Sequence, residues 1–246
     1  MRSQPRRRQP EILHCDDCLL VVDKPSGFFV QPQRFEADCV PDALRGQGEI
    51  PPDEPFLTDQ RLDEQASGVV VYARNEDIRR MLESQLATGR AAATYHVLVL
   101  GFVQADGEID TPLIFDKNTG RTRPSQRHGE PAFTTYRIME RVAGNTWLEC
   151  RPQRERYDQV RSHLTSIGHP LTVDPAYRGG KEVMLSQYKA SYRPSVRHEE
   201  RPLLDRLSMH CASVELIDPA TGATVKYEAP LPKDLRATLT QLGRLQ

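Results

Sequence analysis

A polar loop at residues 60–68 holds the carboxylate best placed to do chemistry. Asp63 lies in this loop, and residues 69–72 (Val-Val-Val-Tyr) form an apolar, β-branched run that is typical of a buried strand. Gly68 permits a tight bend where the loop meets the strand. Because such loops often point a side chain into a cleft, Asp63 is a candidate catalytic residue. Loop aspartates also commonly cap or turn the backbone, and this pattern alone leaves both interpretations open.

The residues around Asp63 resemble the signature loop of RluA-type RNA pseudouridine synthases. That signature reads His-Arg-Leu-Asp, a basic residue, any residue and Thr-Ser-Gly, whereas residues 60–68 here read Gln-Arg-Leu-Asp-Glu-Gln-Ala-Ser-Gly. Further landmarks resemble those of the family and follow in its order: an opening strand with a Lys-Pro-x-Gly turn at residues 16–27, a Tyr-bearing strand at 94–101, a Gln-x-Arg-x-His helix with a Gly-His-Pro turn at 158–174, and a closing strand and exit at 209–232. The resemblance covers residues 13–240.

This resemblance implies an active site that contains Asp63, Tyr95 and Arg161. Conversion of uridine to pseudouridine breaks the N-glycosidic bond, rotates the base and rejoins it through carbon, without a cofactor or a metal. Asp63 would be the nucleophile, at the sugar carbon or at the base, and Arg161 would keep its carboxylate ionised. The Tyr95 ring would lie against the target base, and its hydroxyl could help to move a proton. An ordinary surface arginine and a core tyrosine are the alternative interpretations of Arg161 and Tyr95.

Basic residues are concentrated in a few segments, although the formal net charge is only −1. These segments are an N-terminal arm (Arg2, Arg6, Arg7, Arg8), a turn-rich loop (Lys117, Arg121, Arg123, Arg127) and a stretch farther along (Arg151, Arg154, Arg156, Arg161). Charge runs are often only solvated faces, but several beside one cleft favour contacts with phosphates. We therefore expect Lys117, Arg121 and Arg123 to bind RNA. Arg61, beside the proposed nucleophile, resembles the family residue that enters the RNA once the target uridine has left its stack.

The chain departs from the family pattern near the expected site. The departures are Gln60 for His, Glu64 for a basic residue, Ala66 for Thr, Ala93 for Lys, and Tyr157-Asp158 for Thr-His. Lost positive charge and added acids would weaken general attraction to phosphates. We expect an active enzyme with an unusual substrate preference. A catalytically impaired RNA-binding protein on the same fold is an alternative, as is an unrelated hydrolase using Asp63 and Glu64. Ribosomal and transfer RNA both stay open as substrates.

The elements that must position these residues follow from the hydrophobic periodicity. Residues 19–23 and 94–102 are predicted strands, and Asn75 is placed to cap a helix with an apolar stripe that ends at Gly89. This strand–helix–strand order returns Tyr95 to the neighbourhood of Asp63. A second predicted helix, over residues 157–167, carries Arg161.

Two segments are predicted to lack regular structure. Prolines exclude it from residues 41–55, and the polar composition of residues 178–206 indicates an irregular insertion on the surface. After them, strands at 210–217 and 224–227 flank a hairpin loop, and leucines at positions 235, 239 and 242 mark a closing helix.

Short strands interleaved with a few helices predict an α+β domain with a mixed, mostly antiparallel sheet. The resemblance implies the pseudouridine synthase catalytic fold, in which helices flank the sheet and a cleft lies at its centre. Residues 1–11 are predicted to be a flexible basic tail and residues 12–246 a single catalytic domain. We expect a cytoplasmic protein, because the chain has no apolar run of membrane-spanning length and no secretory signal. The resemblance implies RNA as its partner, and we expect a monomer. Cys15 and Cys18 have half the spacing of a zinc knuckle but no second pair follows, so no metal is expected.

Overall fold

The computed structural model describes residues 8–33, 38–193 and 199–245. The prediction of a flexible tail over residues 1–11 therefore falls mostly on residues 1–7, which lie outside the described part of the chain. Of the remaining tail residues, Arg8 forms an ion pair of 2.7 Å with Asp23, and Glu11 begins the first strand.

A mixed β-sheet forms the body of the described chain. Its strands, with those of a separate hairpin, are β1 (Glu11–Cys15), β2 (Leu19–Lys24), β3 (Ser67–Ala73), β4 (Ala92–Leu100), β5 (Gly107–Asp110), β6 (Leu113–Asp116), β7 (Arg121–Pro124), β8 (Phe133–Val142), β9 (Asn145–Gln153), β10 (Met209–Ile217) and β11 (Thr224–Glu228). The order across the sheet is β1-β2-β3-β10-β4-β9-β8-β5, with β11 paired to β10, while β6 and β7 form the hairpin. β3 and β10 run parallel and the other pairs run antiparallel, which confirms the predicted α+β class.

Helices pack against this sheet and support the strands that carry the site. They are α1 (Val40–Gln47), α2 (Glu76–Thr88), α3 (Gln159–Ser166) and α4 (Lys233–Gly243). α2 begins as predicted, because the Asn75 side chain accepts a hydrogen bond of 3.0 Å from the Ile78 amide. It ends at Gly89, whose φ of 72° is the left-handed conformation that glycine adopts without strain.

The main core lies around β2, β3, β4 and β10, where strands are covered on both faces. All residues of β2 and β3 are buried, which explains why both read as continuous apolar runs without alternation. A second core cluster joins β4 and β9 to α4 through Leu98, Trp147 and Leu235. The loop at residues 60–66 leads into β3; Leu62 and Ala66 anchor it in the main core, and Asp63 lies beside α3.

Two predictions of irregular structure need correction. α1 occupies residues 40–47. Pro41 lies in its first turn, where backbone amides make no hydrogen bonds within the helix, so the proline does not disrupt it. The described part of residues 178–206 is mostly irregular, but it is not simply a surface insertion. Val183 is fully buried and Leu204 is 1% exposed, and they pair with each other inside the second core cluster.

Candidate active site

A buried lysine fixes the loop that presents Asp63. Lys24, at the end of β2, donates hydrogen bonds from Nζ to the carbonyl oxygens of Phe28 (2.8 Å), Glu64 (3.1 Å) and Ala66 (2.7 Å). Gly68 then lets β3 approach β10 so closely that a Cβ atom there would lie 2.1 Å from the Cys211 carbonyl oxygen. The Lys-Pro-x-Gly turn and the signature loop therefore form one rigid unit around Asp63.

Asp63 is ion-paired with Arg161, as expected, although 98 positions separate them. Asp63 Oδ2 accepts a hydrogen bond of 3.0 Å from Arg161 Nη1, and the two side chains are 30% and 9% exposed. Arg161 also donates to both carboxylate oxygens of Asp174, from Nε at 2.7 Å and from Nη2 at 2.8 Å. Burial alone would lower the pKa of Arg161, but Asp174, Asp158 and Asp63 together raise it above its usual value. The guanidinium is thus fixed and permanently charged beside Asp63.

Asp158 connects this ion pair to the basic hairpin. Asp158 adopts a left-handed conformation (φ 53°) and accepts a hydrogen bond of 2.9 Å from Arg161 Nη1. Its other oxygen accepts a hydrogen bond of 2.9 Å from the hydroxyl of Tyr177, which in turn accepts one of 2.7 Å from the Thr122 amide in β7. Burial raises the pKa of Asp158, and its bonds to Arg161 and Tyr177 offset part of that rise. A continuous chain of polar contacts therefore runs from β7 to Asp63.

Tyr95 lies in the core behind the pocket rather than on its surface. Its side chain is fully buried in β4, and its hydroxyl donates a short hydrogen bond to the Glu155 carboxylate. Burial raises the pKa of Glu155 to about 7, and the Tyr95 hydroxyl offsets part of the rise.

A small pocket lies beside Asp63. Its walls include Arg61, Asp63, Glu155, Asp158, Arg161 and Met209. The structure thus brings two of the three predicted catalytic residues to this wall, and it joins Tyr95 to the wall through Glu155.

The predicted RNA-binding residues occupy two places. Arg61 is exposed and lines both this pocket and the wider cleft outside it. Lys117, Arg121 and Arg123 are exposed on the β6–β7 hairpin, where Arg123 Nε lies 3.6 Å from Asp116. Arg121 and Arg123 line a groove between the hairpin and α3, together with Arg178.

Sequence reasoning missed Glu155, Tyr177 and the tethering role of Lys24. Glu155 carries a detectable signal, because it is a single acid between Arg154 and Arg156. The Lys-Pro-x-Gly landmark includes Lys24 but does not indicate its contacts with the signature loop, and Tyr177 carries no signal, since both act through residues distant in the sequence. His163 of α3 is fully buried and hydrogen-bonded to the Thr134 hydroxyl and the Thr111 carbonyl, which gives it a structural role.

Neither a metal cluster nor a membrane helix occurs in the part of the chain that the structure describes. Over those residues, His, Cys, Asp and Glu side chains do not gather in groups of three or more that could hold a metal ion. Helices of the same residues are too short or too polar to cross a membrane.

Comparison with known proteins shows the family. The family model described as RNA pseudouridylate synthase matches residues 18–166. A protein of Nitrosomonas europaea named ribosomal large subunit pseudouridine synthase D is 32% identical over 238 residues, which is 96% of this chain and 66% of that protein. A Pseudomonas aeruginosa protein of the same name is 29% identical over 94% of this chain and 71% of its own length. The chain thus spans about two thirds of the length of these curated relatives, and slightly less for the first.

Solved structures share the fold. The structure titled human RNA pseudouridylate synthase domain containing 4 superimposes with a TM-score of 0.67 at 21% identity, covering 94% of this chain and 92% of the human one. The protein titled human RNA pseudouridylate synthase domain containing 1 gives a TM-score of 0.65 at 19% identity, over 94% of this chain and 87% of the other. The predicted fold is confirmed, and with the match over residues 18–166 the chain belongs to the RNA pseudouridylate synthase family, as its resemblance to RluA-type enzymes indicates.

Proposed function

We propose that this chain is an RNA pseudouridine synthase that isomerises specific uridines of large-subunit ribosomal RNA, with Asp63 as its nucleophile. The observation that carries the proposal is the ion pair between Asp63 and Arg161 at the wall of a pocket. The choice of ribosomal over transfer RNA rests on the names of the relatives, which are ribosomal large subunit pseudouridine synthases.

The reaction requires a carboxylate that reaches the target uridine in a pocket. The uridine leaves the RNA stack and enters the pocket, and Arg61 at the pocket mouth supports the opened strand. Asp63 then forms a bond to the sugar carbon or to the base, and Arg161 balances the charge of the carboxylate before that bond forms and after it breaks. The N-glycosidic bond breaks and the base rotates. Carbon 5 then bonds to the sugar carbon, and the bond to Asp63 breaks, which restores the carboxylate. Loss of the hydrogen at carbon 5 and protonation of N1 complete the product, so Tyr95 and Glu155 are suited to proton movement.

The charge distribution supports a phosphate-binding role for the hairpin. Lys117, Arg121 and Arg123 are solvent-exposed on β6, β7 and their turn, and the contact between Thr122 and Tyr177 anchors the hairpin to the network around Arg161. We place the chain in the cytoplasm, as a monomer acting on RNA without a cofactor, in line with its composition and with this surface.

A catalytically impaired RNA-binding protein is the competing function, and Asp158 is the observation that favours it. Where relatives of this type usually have His, Asp158 takes a bond from the same Arg161 nitrogen that binds Asp63. Arg161 therefore forms ion pairs with three carboxylates, and its positive charge stabilises the ionised form of Asp63 less than it would in an isolated pair.

Mapping pseudouridines in cells with and without the gene tests the proposal. We expect at least one position of large-subunit ribosomal RNA to lose pseudouridine in the deletion strain. Purified protein should restore that position in RNA from the deletion strain. Unchanged pseudouridine profiles of all cellular RNAs, combined with RNA binding by the purified protein, would instead establish the binding-protein function.

A further inference from the structure

A second carboxyl group shares the pocket with Asp63. Glu155 follows β9 and forms part of the wall that also contains Asp63 and Arg161. It also borders the outer cleft beside Arg61 and an apolar pocket beneath α2 that contains Leu82 and Ala93. Glu155 therefore lies where these three spaces meet, and a base beside Asp63 would have this carboxyl within the same enclosure.

Tyr95 fixes the orientation of Glu155 from behind. The Tyr95 hydroxyl is fully buried in β4 and donates to Glu155 Oε1. This bond uses one oxygen of the carboxyl group, so the other oxygen is available to a ligand in the pocket. Tyr95 itself does not line the pocket, so Glu155 would lie between the Tyr95 hydroxyl and a base that enters the pocket.

The two carboxyl groups of the pocket differ in their electrostatic surroundings. Asp63 has the Arg161 guanidinium at 3.0 Å, whereas burial raises the pKa of Glu155 to about 7. Two carboxyl groups held in such different environments commonly divide nucleophilic and acid–base work. Glu155 is half-protonated near neutral pH, which suits a group that must take up a proton and release it again.

The charged and titratable groups around Glu155 come from every element that surrounds it. They are Tyr95 of β4, Cys211 of β10, Arg79 and Glu83 of α2, Asp59, Arg61 and Asp63 before β3, Asp158 and Tyr157 just before α3, Arg161 of α3, and the adjacent Arg154 and Arg156. Of these groups, Tyr95 is the one hydrogen-bonded to Glu155.

We propose that Glu155 is a catalytic residue that removes the hydrogen from carbon 5 of the uracil after the base has rejoined the sugar, with Tyr95 as the positioning residue behind it. This inference rests on the proposed function. In the step itself, the C5–H bond breaks and the proton passes to the Glu155 carboxylate. The electron pair of that bond forms the C5=C6 double bond, and the pair of the C6=N1 double bond moves to N1, which takes a proton from solvent. Glu155 then loses its proton to solvent, so atoms and charge balance.

Glu155→Gln tests the proposal, with Glu215→Gln as the matched control. Gln keeps an oxygen that can accept the Tyr95 hydrogen bond but cannot take up the proton. We expect tritium release from 5-³H-uridine RNA to fall by about 10²-fold or more, in the range usual for loss of a general base. Glu215, an exposed carboxylate of β10 that lies outside the pocket wall, should give near wild-type release when changed to Gln.

Isotopic and fluorinated substrates separate this step from the earlier ones. With 5-deuterated uridine, Glu155→Gln should show a larger primary isotope effect than wild type, because hydrogen removal has become rate-limiting. With 5-fluorouridine RNA, which has no hydrogen at carbon 5, the variant should consume the substrate at a rate close to wild type. Equal loss on both substrates would overturn the proposal, since it would show that Glu155 acts before the base rejoins or only supports the fold.

The pH profile adds an independent readout. Because the proton acceptor must be ionised, wild-type turnover should rise between about pH 6 and 8, around the pKa of about 7 for Glu155. Tyr95→Phe removes a hydrogen bond that lowers the pKa of Glu155. The variant should therefore remain active, but its turnover should rise at a higher pH than that of the wild type. Abolished turnover in Tyr95→Phe with normal turnover in Glu155→Gln would assign the proton to Tyr95 and refute the proposal. Failure of the wild type to release tritium from any RNA would refute the proposed function instead.

Discussion

Replacing Arg161 by Lys tests how much of the site depends on the planar guanidinium. Arg161 donates four charged hydrogen bonds, two to Asp174, one to Asp158 and one to Asp63. A lysine has three donors on one nitrogen and cannot bridge these groups, so the Asp174 side chain, which is 1% exposed, loses its bidentate partner. Removing a buried partner outright costs about 3–5 kcal/mol, and because Lys keeps the charge we expect roughly half of that, about 2 kcal/mol.

Urea unfolding and tritium release measure the two consequences separately. The free energy of unfolding should fall by about 2 kcal/mol. Turnover of the folded variant should lie between the turnover of wild type and that of Asp63→Asn, a variant without the nucleophile, because Asp63 loses its fixed partner.

Arg74→Lys is the matched control for this variant. Arg74 binds Glu54 in the same bidentate manner, from Nε at 2.6 Å and from Nη2 at 2.9 Å, and both residues lie outside the wall of the Asp63 pocket. This variant should lose less stability, since the Arg74 side chain is 26% exposed, and it should keep its turnover. Full turnover and stability in Arg161→Lys, or an equal loss of turnover in Arg74→Lys, would refute the reasoning.

Two further predictions concern the hairpin and the buried histidine of β10. Neutralising Arg121 and Arg123 should weaken RNA binding and flatten its salt dependence by about one unit of slope for each phosphate that the variant no longer binds. Neutralising the exposed Arg236 of α4 should leave the slope unchanged. Equal slopes in all variants would exclude the hairpin from the RNA interface. Burial lowers the pKa of His210 to about 4, below its unfolded value of about 6.5, so this residue stabilises the fold above pH 6.5 and that stability is lost as the pH falls towards 4. Between pH 7 and pH 5, urea unfolding of the wild type should therefore lose about 2 kcal/mol more than unfolding of His210→Gln, and parallel pH curves for the two proteins would contradict this.

The sequence predicts those elements whose signal is local. The apolar run at residues 69–72 becomes the buried β3, and Asn75 and Gly89 bound α2 as expected, because strand burial and helix capping depend on neighbouring residues. α1 was missed because a proline was read as a helix breaker, whereas at the first turn it is tolerated. Val183 and Leu204 were missed because a few apolar residues in a polar segment show no periodicity, although tertiary packing buries them.

Only those residues of the site that match the family's motifs could be predicted from the sequence. That resemblance indicated the pairing of Asp63 with Arg161, which no periodicity connects, and the pair is present at 3.0 Å. It gave no indication of Glu155 or of the contact between Asp158 and Tyr177. Asp158 is one of this chain's departures from the family pattern, and the contacts of Glu155 and Tyr177 form only on folding. Local sequence reasoning therefore finds the strands and helices, and long-range polar contacts decide the site.

Tritium release by Asp63→Asn is the most direct test of the proposed function. Asn retains the size and polarity of the side chain but lacks the charge and nearly all of the nucleophilicity, so folding and RNA affinity should change little. If Asp63 forms the covalent bond, release from 5-³H-uridine RNA should fall to background, whereas loss of a merely orienting group costs on the order of 10²-fold. Appreciable tritium release by Asp63→Asn, from RNA that wild type converts, would contradict the assignment of Asp63 as the nucleophile.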